Sequence, residues 1–278
     1  MTSTKKVTKL VLPVAGLGTR LMPLTARTPK NLVRVNGKPL IEYVLEEAAL
    51  SGIREAILIV NPRHRRAFAS YIKKRAEKKF PALSFAMRTQ EMPGGNGHAI
   101  VQAADLIGNE PFAVRFCDDV LIGEPPVLRG LIGAFDRAQA PVILLERVPK
   151  SAVSRFGIVG IGKGSGAASR GAAATSTSCA SGALRRIVKI VEKPGIKDAP
   201  SNLAIIGGYV LTAGVLRTLS AIVDTLPVIA QDALPLAVAL QVELLLGKKL
   251  YGWEFPGRHF DCGTLEKLQE AEKILRKI

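Results

Sequence analysis

A short apolar run that stops abruptly at a glycine-rich loop is the feature that most constrains this chain. The run Lys9 to Val14 reads KLVLPV, and the loop Ala15 to Arg20 follows it directly. An unbroken apolar run of this length, ended by glycine, predicts a strand that is buried on both faces. Ligands of α/β folds collect at the carboxyl ends of such strands, so the loop is the first candidate binding site.

Further apolar runs alternate with helical patterns along the chain. The runs Ala56 to Val60, Phe112 to Cys117 and Val142 to Leu145 predict strands, and the patterns Leu40 to Ser51 and Val127 to Ala138 predict helices. Strands that alternate with helices indicate an α/β fold. We therefore expect a Rossmann-like fold whose central sheet is mixed, mostly parallel and flanked by helices.

The domain organisation follows from two segments that differ from the rest. Residues 163–183 are almost entirely Gly, Ala, Ser and Thr, which predicts a flexible low-complexity loop. The runs Gly157 to Ile161 and Ile187 to Glu192 could pair across it as a small β-hairpin insertion. Residues 1–262 are expected to form one domain, and residues 263–278 an amphipathic C-terminal helix. The sequence does not decide whether that helix packs on its own domain or on a partner subunit.

The charge balance is strongly basic, with 39 Lys and Arg against 23 Asp and Glu and a net charge of +16. Such a surface attracts nucleic acid, anionic membranes or small phosphorylated ligands. Residues 63–79 carry eight basic side chains and one acid. The favoured interpretation is a solvated helix face with Phe68, Tyr71 and Ile72 inward, and a polyanion-binding patch is the alternative. Nucleic acid is not the expected partner, because aromatic residues make up only 5% and do not interleave with the basic ones.

Other composition features exclude several classes of protein. No stretch approaches the roughly 20 apolar residues of a membrane span, so no membrane partner is expected. The three cysteines are far apart and odd in number, which argues against a disulfide scaffold. The expected compartment is the reducing cytoplasm.

Three interpretations of the glycine loop compete. A dinucleotide-binding fingerprint needs a third glycine where Leu21 stands. A purely structural turn is the second interpretation. The third is a loop that wraps a nucleoside triphosphate, with Arg20 and Lys30 on its phosphates. A Walker-like match at residues 157–163 is treated as coincidence, because Gly164 follows it instead of Ser or Thr.

The motifs carry a resemblance over nearly the whole chain. The segments VLPVAGLGTRLMPLTARTPKNL and GKPLIEYVLEEA resemble the start of the sugar-1-phosphate nucleotidyltransferases. Further motifs come in the family order: Gln90 with GNGHA, the Asp118-Asp119 pair, FGIV, VEKP, SNLAI and FDCG. PVAGLGTR, GHA and SNLAI are typical of the uridylyl branch rather than the thymidylyl branch.

The resemblance implies that the chain transfers a uridylyl group from UTP to glucose 1-phosphate with the help of Mg²⁺. It implies catalytic roles for Arg20, Lys30 and Lys193, and metal ligation by Asp118 and Asp261. The implied nucleotide-binding residues are Ala15, Gly16, Leu17, Gly18, Thr19, Gln90 and Gly95. The implied sugar-binding residues are Gly157, Glu192 and Gly207. Family habit also favours a homodimer or homotetramer.

The chain departs from the family pattern at several points. Asn31 stands where the family has a glutamate that helps bind the base, and residues 63–79 are unusually basic. Two alternatives therefore stay open beside the uridylyl hypothesis. One is the same chemistry with dTTP or another sugar phosphate. The other is an inactive paralogue that binds nucleotide sugar or RNA; a dinucleotide oxidoreductase is a remoter hypothesis.

Overall fold

The computed structural model describes residues 5–162, 183–225 and 235–277. In chain order its strands are Lys9–Pro13 (β1), Arg34–Val35 (β2), Lys38–Pro39 (β3), Glu55–Val60 (β4), Ser84–Thr89 (β5), Phe112–Arg115 (β6), Asp119–Ile122 (β7), Val142–Arg147 (β8), Gly157–Ile161 (β9), Leu184–Glu192 (β10), Leu203–Leu211 (β11), Leu250–Glu254 (β12) and Arg258–Asp261 (β13). Its α-helices are Leu40–Leu50 (α1), Arg65–Tyr71 (α2), Glu77–Lys79 (α3), Gly95–Val101 (α4), Ala104–Ile107 (α5), Val127–Ala138 (α6), Ala213–Thr225 (α7), Leu236–Leu245 (α8) and Leu265–Leu275 (α9). A π-helical stretch, Ile72–Ala76, joins α2 to α3.

Nine of the described strands form one sheet in the order β5-β4-β1-β6-β11-β8-β12-β10-β9. The first predicted strand, β1, lies inside this sheet and pairs in parallel with β4 on one side and β6 on the other. Its central residues Leu10, Val11 and Leu12 are fully buried, as a strand covered on both faces requires. Only β10 and β11 run against the other strands of the sheet, which confirms the mixed, mostly parallel α/β fold.

The expected hairpin pairing forms at one edge of this sheet. Strands β9 and β10 are antiparallel, with Gly157 opposite Glu192. They extend the central sheet instead of standing apart from it. Of the predicted low-complexity loop, residues 163–183, all but the last lie outside the described residues.

Helices cover both faces of the sheet. One apolar core joins α1 and α6 to the sheet, and a second joins α4, α7 and α8 to the opposite face. A two-stranded sheet of β7 and β13 lies beside the main one. Helix α9 buries Leu268, Ala271 and Leu275 in a third core that also contains Leu21 and Phe260. The described part of the C-terminal helix therefore packs against its own chain.

The basic segment, residues 63–79, packs as a helical layer on the first core. Phe68 and Ile72 are buried there, as the sequence predicts. Tyr71 is half-buried, and its hydroxyl donates to Glu42 Oε1 at 3.2 Å. Among the helices built from described residues, none combines the length and apolarity that a membrane crossing needs.

Candidate active site

A cleft of about 640 Å³ opens at the carboxyl ends of β1, β4, β5 and β6. A volume of this size is typical of a site for a small-molecule ligand. Six of the residues predicted to bind nucleotide or metal line it: Ala15, Gly16, Leu17, Gln90, Gly95 and Asp118. Two segments that lie about 75 and about 100 positions after the glycine loop thus meet it at the edge of the sheet where α/β folds bind ligands.

The glycine loop is shaped by two different requirements. Gly18 has φ +69°, and a Cβ there would lie 2.8 Å from Lys30 Cβ and 3.0 Å from Thr25 Cγ2. Its carbonyl also accepts a hydrogen bond from Thr25 Oγ1 at 2.8 Å. A Cβ at Gly16, in contrast, would meet no described atom within 4 Å. Gly18 therefore holds the loop against the Lys30 segment, while the backbone of Gly16 stays open to a ligand.

Four charged residues predicted to act on the phosphates or the metal, Arg20, Lys30, Asp118 and Asp261, come together at one end of the cleft. Lys30 Nζ lies 2.5 Å from Asp118 Oδ2. A Cβ atom at Gly263 would lie 2.9 Å from Asp261 Oδ1, 3.6 Å from Asp118 Oδ2 and 3.8 Å from Arg20 Nη2. The two carboxylates and the guanidinium therefore surround the same point, and glycine leaves that point free of a side chain.

The small sheet explains how distant parts of the chain reach this point. Strands β7 and β13 pair Asp119 with Asp261, and the Cys262 N–H donates to the Asp118 carbonyl at 2.7 Å. The backbone thus fixes the Asp118 and Asp261 side chains next to each other before any ligand binds.

The surroundings of Asp261 favour its ionised form, which can bind a metal cation. Burial would raise the pKa of its carboxyl group, but Lys267, which forms an ion pair with Oδ2, and the Gly263 N–H at 2.8 Å from Oδ1 outweigh burial and lower it. Within the described residues no three or more His, Cys, Asp and Glu side chains are arranged so that they could hold a metal ion by themselves. Two carboxylates with an open space between them fit Mg²⁺, which usually completes its shell with water and phosphate oxygen.

The opposite end of the cleft holds the residues predicted to recognise the base. Gln90 is buried, and its Nε2 donates to the Gly95 carbonyl at 3.0 Å and lies 3.0 Å from His98 Nδ1. Burial lowers the pKa of His98, so a neutral ring can accept this hydrogen bond. Asn31 is buried and does not line the cleft in the described structure.

The predicted sugar-binding residues lie further along the sheet. A Cβ at Gly157 would lie 3.0 Å from Glu192 Oε2, so these two predicted residues are neighbours across β9 and β10. Lys193 follows in the left-handed region with φ +44°, and its N–H donates to the Phe156 carbonyl. None of these three residues lines the 640 Å³ cleft.

Gly207 and Tyr209 on β11 connect the two regions. The Gly207 N–H donates to Asp119 Oδ2 at 2.9 Å. Tyr209 packs edge-on against Phe116, which lines the cleft. Burial, and then the carboxylates of Asp119 and Glu192, raise the pKa of Tyr209. Through β11, Gly207 therefore lies next to the end of the cleft where Asp118 and Asp261 meet.

Sequence reasoning left Asp119 without a role and missed His259 altogether. Asp119 Oδ1 lies 2.9 Å from His259 Nε2, and His259 Nδ1 lies 2.7 Å from Glu146 Oε2. Burial would lower the pKa of His259, but its hydrogen bonds to the two carboxylates outweigh burial and raise it to about 9. A protonated imidazole thus joins β13 to β7 and β8 beside the site.

Comparison with known proteins places the chain in a family. The nucleotidyl transferase family model matches residues 9–277. A UTP–glucose-1-phosphate uridylyltransferase of Staphylococcus epidermidis is 32% identical over 283 residues, which cover 95% of this chain and 90% of that protein. One from Bacillus subtilis is 34% identical over 78% of this chain and 74% of its own length. The chain belongs to the nucleotidyl transferase family.

Solved structures agree with this assignment. A crystal structure of UDP-glucose pyrophosphorylase complexed with UDP-glucose superimposes with a TM-score of 0.80 at 30% identity. The superposition covers 98% of this chain and 99% of that one. The resemblance drawn from the sequence motifs is thereby confirmed.

Proposed function

We propose that this nucleotidyltransferase transfers a uridylyl group from UTP to glucose 1-phosphate and forms UDP-glucose and pyrophosphate. The observation that carries the proposal is the meeting of Asp118, Asp261 and Arg20 around Gly263, at one end of a cleft that also holds the glycine loop. The names of the matched uridylyltransferases and the UDP-glucose complex support the choice of nucleotide and sugar.

The chemistry is an in-line displacement. A phosphate oxygen of glucose 1-phosphate attacks the α-phosphorus of UTP, and the bond to the bridging oxygen of the β-phosphate breaks as pyrophosphate leaves. Both reactants are anions, so positioning and cationic stabilisation dominate the barrier. Asp118 and Asp261 would hold Mg²⁺, which offsets the negative charge of the phosphate groups when it is bound.

The residues of this chain divide the remaining work. The backbone of Ala15 to Thr19 binds the nucleotide, and Arg20 stabilises the departing pyrophosphate. Lys30 is held by Asp118 in the described structure, so it is placed to contact the phosphates where the bond forms. Gln90 and Gly95 bind the base.

On the sugar side, Gly157, Glu192 and Gly207 bind glucose. Lys193 contacts the sugar phosphate. The ring hydroxyls of glucose both donate and accept, which suits a carboxylate beside a backbone N–H.

Pyrophosphate release from UTP and glucose 1-phosphate in the presence of Mg²⁺ is the direct test. Asp118→Asn and Asp261→Asn should each lower kcat by about 10²- to 10³-fold, as loss of one stabilising group commonly does. Asp136→Asn is the matched control, because Asp136 is exposed on α6. Binding of Mn²⁺ as a spectroscopic probe, followed by electron paramagnetic resonance with UTP present, should weaken in both site variants and not in the control.

A wild-type chain that releases no pyrophosphate from this pair would refute the proposal. A homodimer or homotetramer and a cytoplasmic location also belong to the proposal. Light scattering after size-exclusion chromatography checks the first.

A further inference from the structure

One basic side chain among the described cleft-lining residues has no part in the phosphate chemistry. Arg63 lines the cleft together with Gln90 and Gly95. It lies in the short 3-10 helix Pro62–His64, which follows β4 directly. The Asn61 side chain begins this helix by accepting a hydrogen bond from the Arg63 N–H at 3.0 Å.

A second contact fixes this helix beside the base-binding end. Arg65 Nη1 lies 3.2 Å from Thr89 Oγ1, and Thr89 is the last residue of β5, immediately before Gln90. Because β4 and β5 are adjacent parallel strands, their carboxyl ends meet at the same edge. Arg63 and Gln90 are therefore held on the same side of the cleft.

This side is separate from the phosphate end. Three cations contact or approach the predicted metal-binding carboxylates: Arg20 and Lys30, on segments that follow β1, and Lys267 on α9. Strand β4 lies between β1 and β5 in the sheet. The Arg63 side chain is exposed, and within the described residues it forms no ion pair or side-chain hydrogen bond that would occupy its donors.

The chemistry of the guanidinium limits what it can bind. Arginine donates hydrogen bonds and accepts none. Uracil offers two carbonyl acceptors, whereas cytosine carries an amino donor in place of the C4 carbonyl. The Nε2 of Gln90 already contacts Gly95 and His98, and Asn31 is buried away from the cleft lining. The amide donors of Gln90 are thus engaged within the protein, and the Arg63 guanidinium is the charged donor among the described residues that line the cleft.

We propose that Arg63 is a specificity-determining residue that donates to the C4 carbonyl of the pyrimidine and so favours uracil over cytosine. This inference rests on the proposed uridylyl transfer. It places a cation at the base-binding end of the cleft, in a chain where Asn31 stands in place of the family's glutamate. Thymine has the same carbonyl, so Arg63 would not separate dTTP from UTP.

Calorimetric titration of the full chain with UTP, dTTP and CTP, each with Mg²⁺, tests the proposal. In Arg63→Met the Kd for UTP and dTTP should rise roughly tenfold, the effect of losing one charge-assisted hydrogen bond. The Kd for CTP should change much less. In turnover with glucose 1-phosphate, KM for UTP should rise while kcat stays nearly constant, because the lost contact is equal in ground and transition states.

Two further variants sharpen the test. Arg66→Met removes the same charge from the same segment, but Arg66 is exposed and does not line the cleft, so all three affinities should match wild type. Arg63→Gln restores an acceptor that can face the cytosine amino group. It should therefore bind CTP better than Arg63→Met does.

Three outcomes would overturn the inference. If Arg63→Met weakens the binding of all three nucleotides equally, Arg63 attracts the triphosphate. If its affinity for UTP is unchanged, Arg63 does not contact the base, and if Arg66→Met loses as much affinity as Arg63→Met, the effect is one of general charge. If the wild-type chain neither binds UTP nor releases pyrophosphate, the proposed function itself fails. That result is distinct from a wild-type enzyme that Arg63→Met leaves unchanged.

Discussion

Helix α1 carries two buried acids, Glu42 and Glu47, whose partners come from different regions of the molecule. They are five positions apart, which places them about 140° apart around the helix axis. Glu42 contacts Tyr71, Arg75 and Lys79 of the basic segment, and the Arg75 and Lys79 side chains are 43% and 37% exposed. Glu47 contacts Arg115, whose side chain is 0% exposed.

The pair of Glu47 and Arg115 reaches the candidate active site, and the pairs of Glu42 with the basic segment do not. Arg115 holds both Glu47 oxygens at 3.1 Å and also donates to the Gly207 carbonyl at 2.6 Å and the Asp119 carbonyl at 3.0 Å. Burial opposes the charge of the guanidinium, but Glu47 outweighs burial and raises the pKa of Arg115. On one helix, Glu42 thus holds the basic segment at the surface, and Glu47, through Arg115, holds the backbone of the site.

Arg115→Met should give the largest effect, because it removes the buried partner of Glu47. It leaves Glu47 without a partner in the core, and two backbone carbonyls lose their donor. Loss of one member of a buried ion pair costs about 3–5 kcal/mol, so the free energy of unfolding should fall by that amount. Urea unfolding followed by circular dichroism measures it.

The double variant Glu47→Gln with Arg115→Met is the control for this prediction. Removing both charges should recover part of the lost stability, because an unpaired buried charge is the main cost. An Arg115→Met variant as stable as wild type would mean that the pair does not hold this region together.

Gly207→Ala should give the next largest effect. A Cβ there would lie 2.2 Å from Asp119 Oδ2 and 2.8 Å from Phe116 Cβ, so β11 or Asp119 must move. We expect a loss of about 1–3 kcal/mol from the crowded core and a fall in kcat/KM of up to about 100-fold from the displaced site. Steady-state kinetics and urea unfolding check the two parts.

Gly133→Ala on α6 is the matched control, because its Cβ would meet only Arg137 Nη1, at 3.8 Å. That change should leave kcat/KM alone and add up to about 1 kcal/mol of stability, since alanine is the better helix former. Wild-type kinetics in Gly207→Ala would show that the site tolerates movement of β11.

The contrast between the two acids also shows what the sequence could predict. Strand β1 and the glycine loop were predictable because their signals are local: an unbroken apolar run and then glycines. The meeting of Asp118 with Asp261 was expected only through the resemblance to a family. Their approach depends on the pairing of β7 with β13, which no local pattern reveals.

Arg115 and Glu47 were missed for a physical reason. They are distant in the chain, so their pairing depends on how α1 lies on the sheet. A signal was nevertheless present, because Arg115 is the charged residue in the apolar run PFAVRF. A charged side chain inside a buried strand needs an ion-pair or hydrogen-bond partner. Applied to Glu42, the same rule would have linked the basic segment to α1.

Glu42→Gln tests the other end of the comparison. Burial would raise the pKa of Glu42, but hydrogen bonds from Arg75 and Lys79 outweigh it and lower the pKa below 4.5. A lowered folded-state pKa gives stability that is present above the unfolded value and lost as the pH falls. The variant should be about 1–3 kcal/mol less stable than wild type at pH 7.

The difference between wild type and Glu42→Gln should shrink as the pH falls below about 4.5, because the wild-type carboxylate then takes up a proton. Urea unfolding at a series of pH values follows it. A difference that stays constant down to pH 3 would mean that the charge of Glu42 contributes nothing.

Arg75→Met should have the smallest effect, and it tests the pair with Glu42 by removing the basic residue instead of the acid. Arg75 is half-exposed, and after its loss Lys79 Nζ still lies 2.8 Å from Glu42 Oε2 while the Tyr71 hydroxyl still donates to Oε1. Because Glu42 keeps two of its partners, the urea midpoint should fall by less than it does in Glu42→Gln.

Lys74→Met provides the control for Arg75→Met. Lys74 is an exposed neighbour with the same charge, and its removal should not lower the midpoint. A midpoint loss in Arg75→Met as large as in Arg115→Met would erase the distinction between the two acids, because the surface pair would then stabilise the fold as strongly as the buried one. Equal losses in Arg75→Met and Lys74→Met would instead assign the effect to the charge of the whole segment.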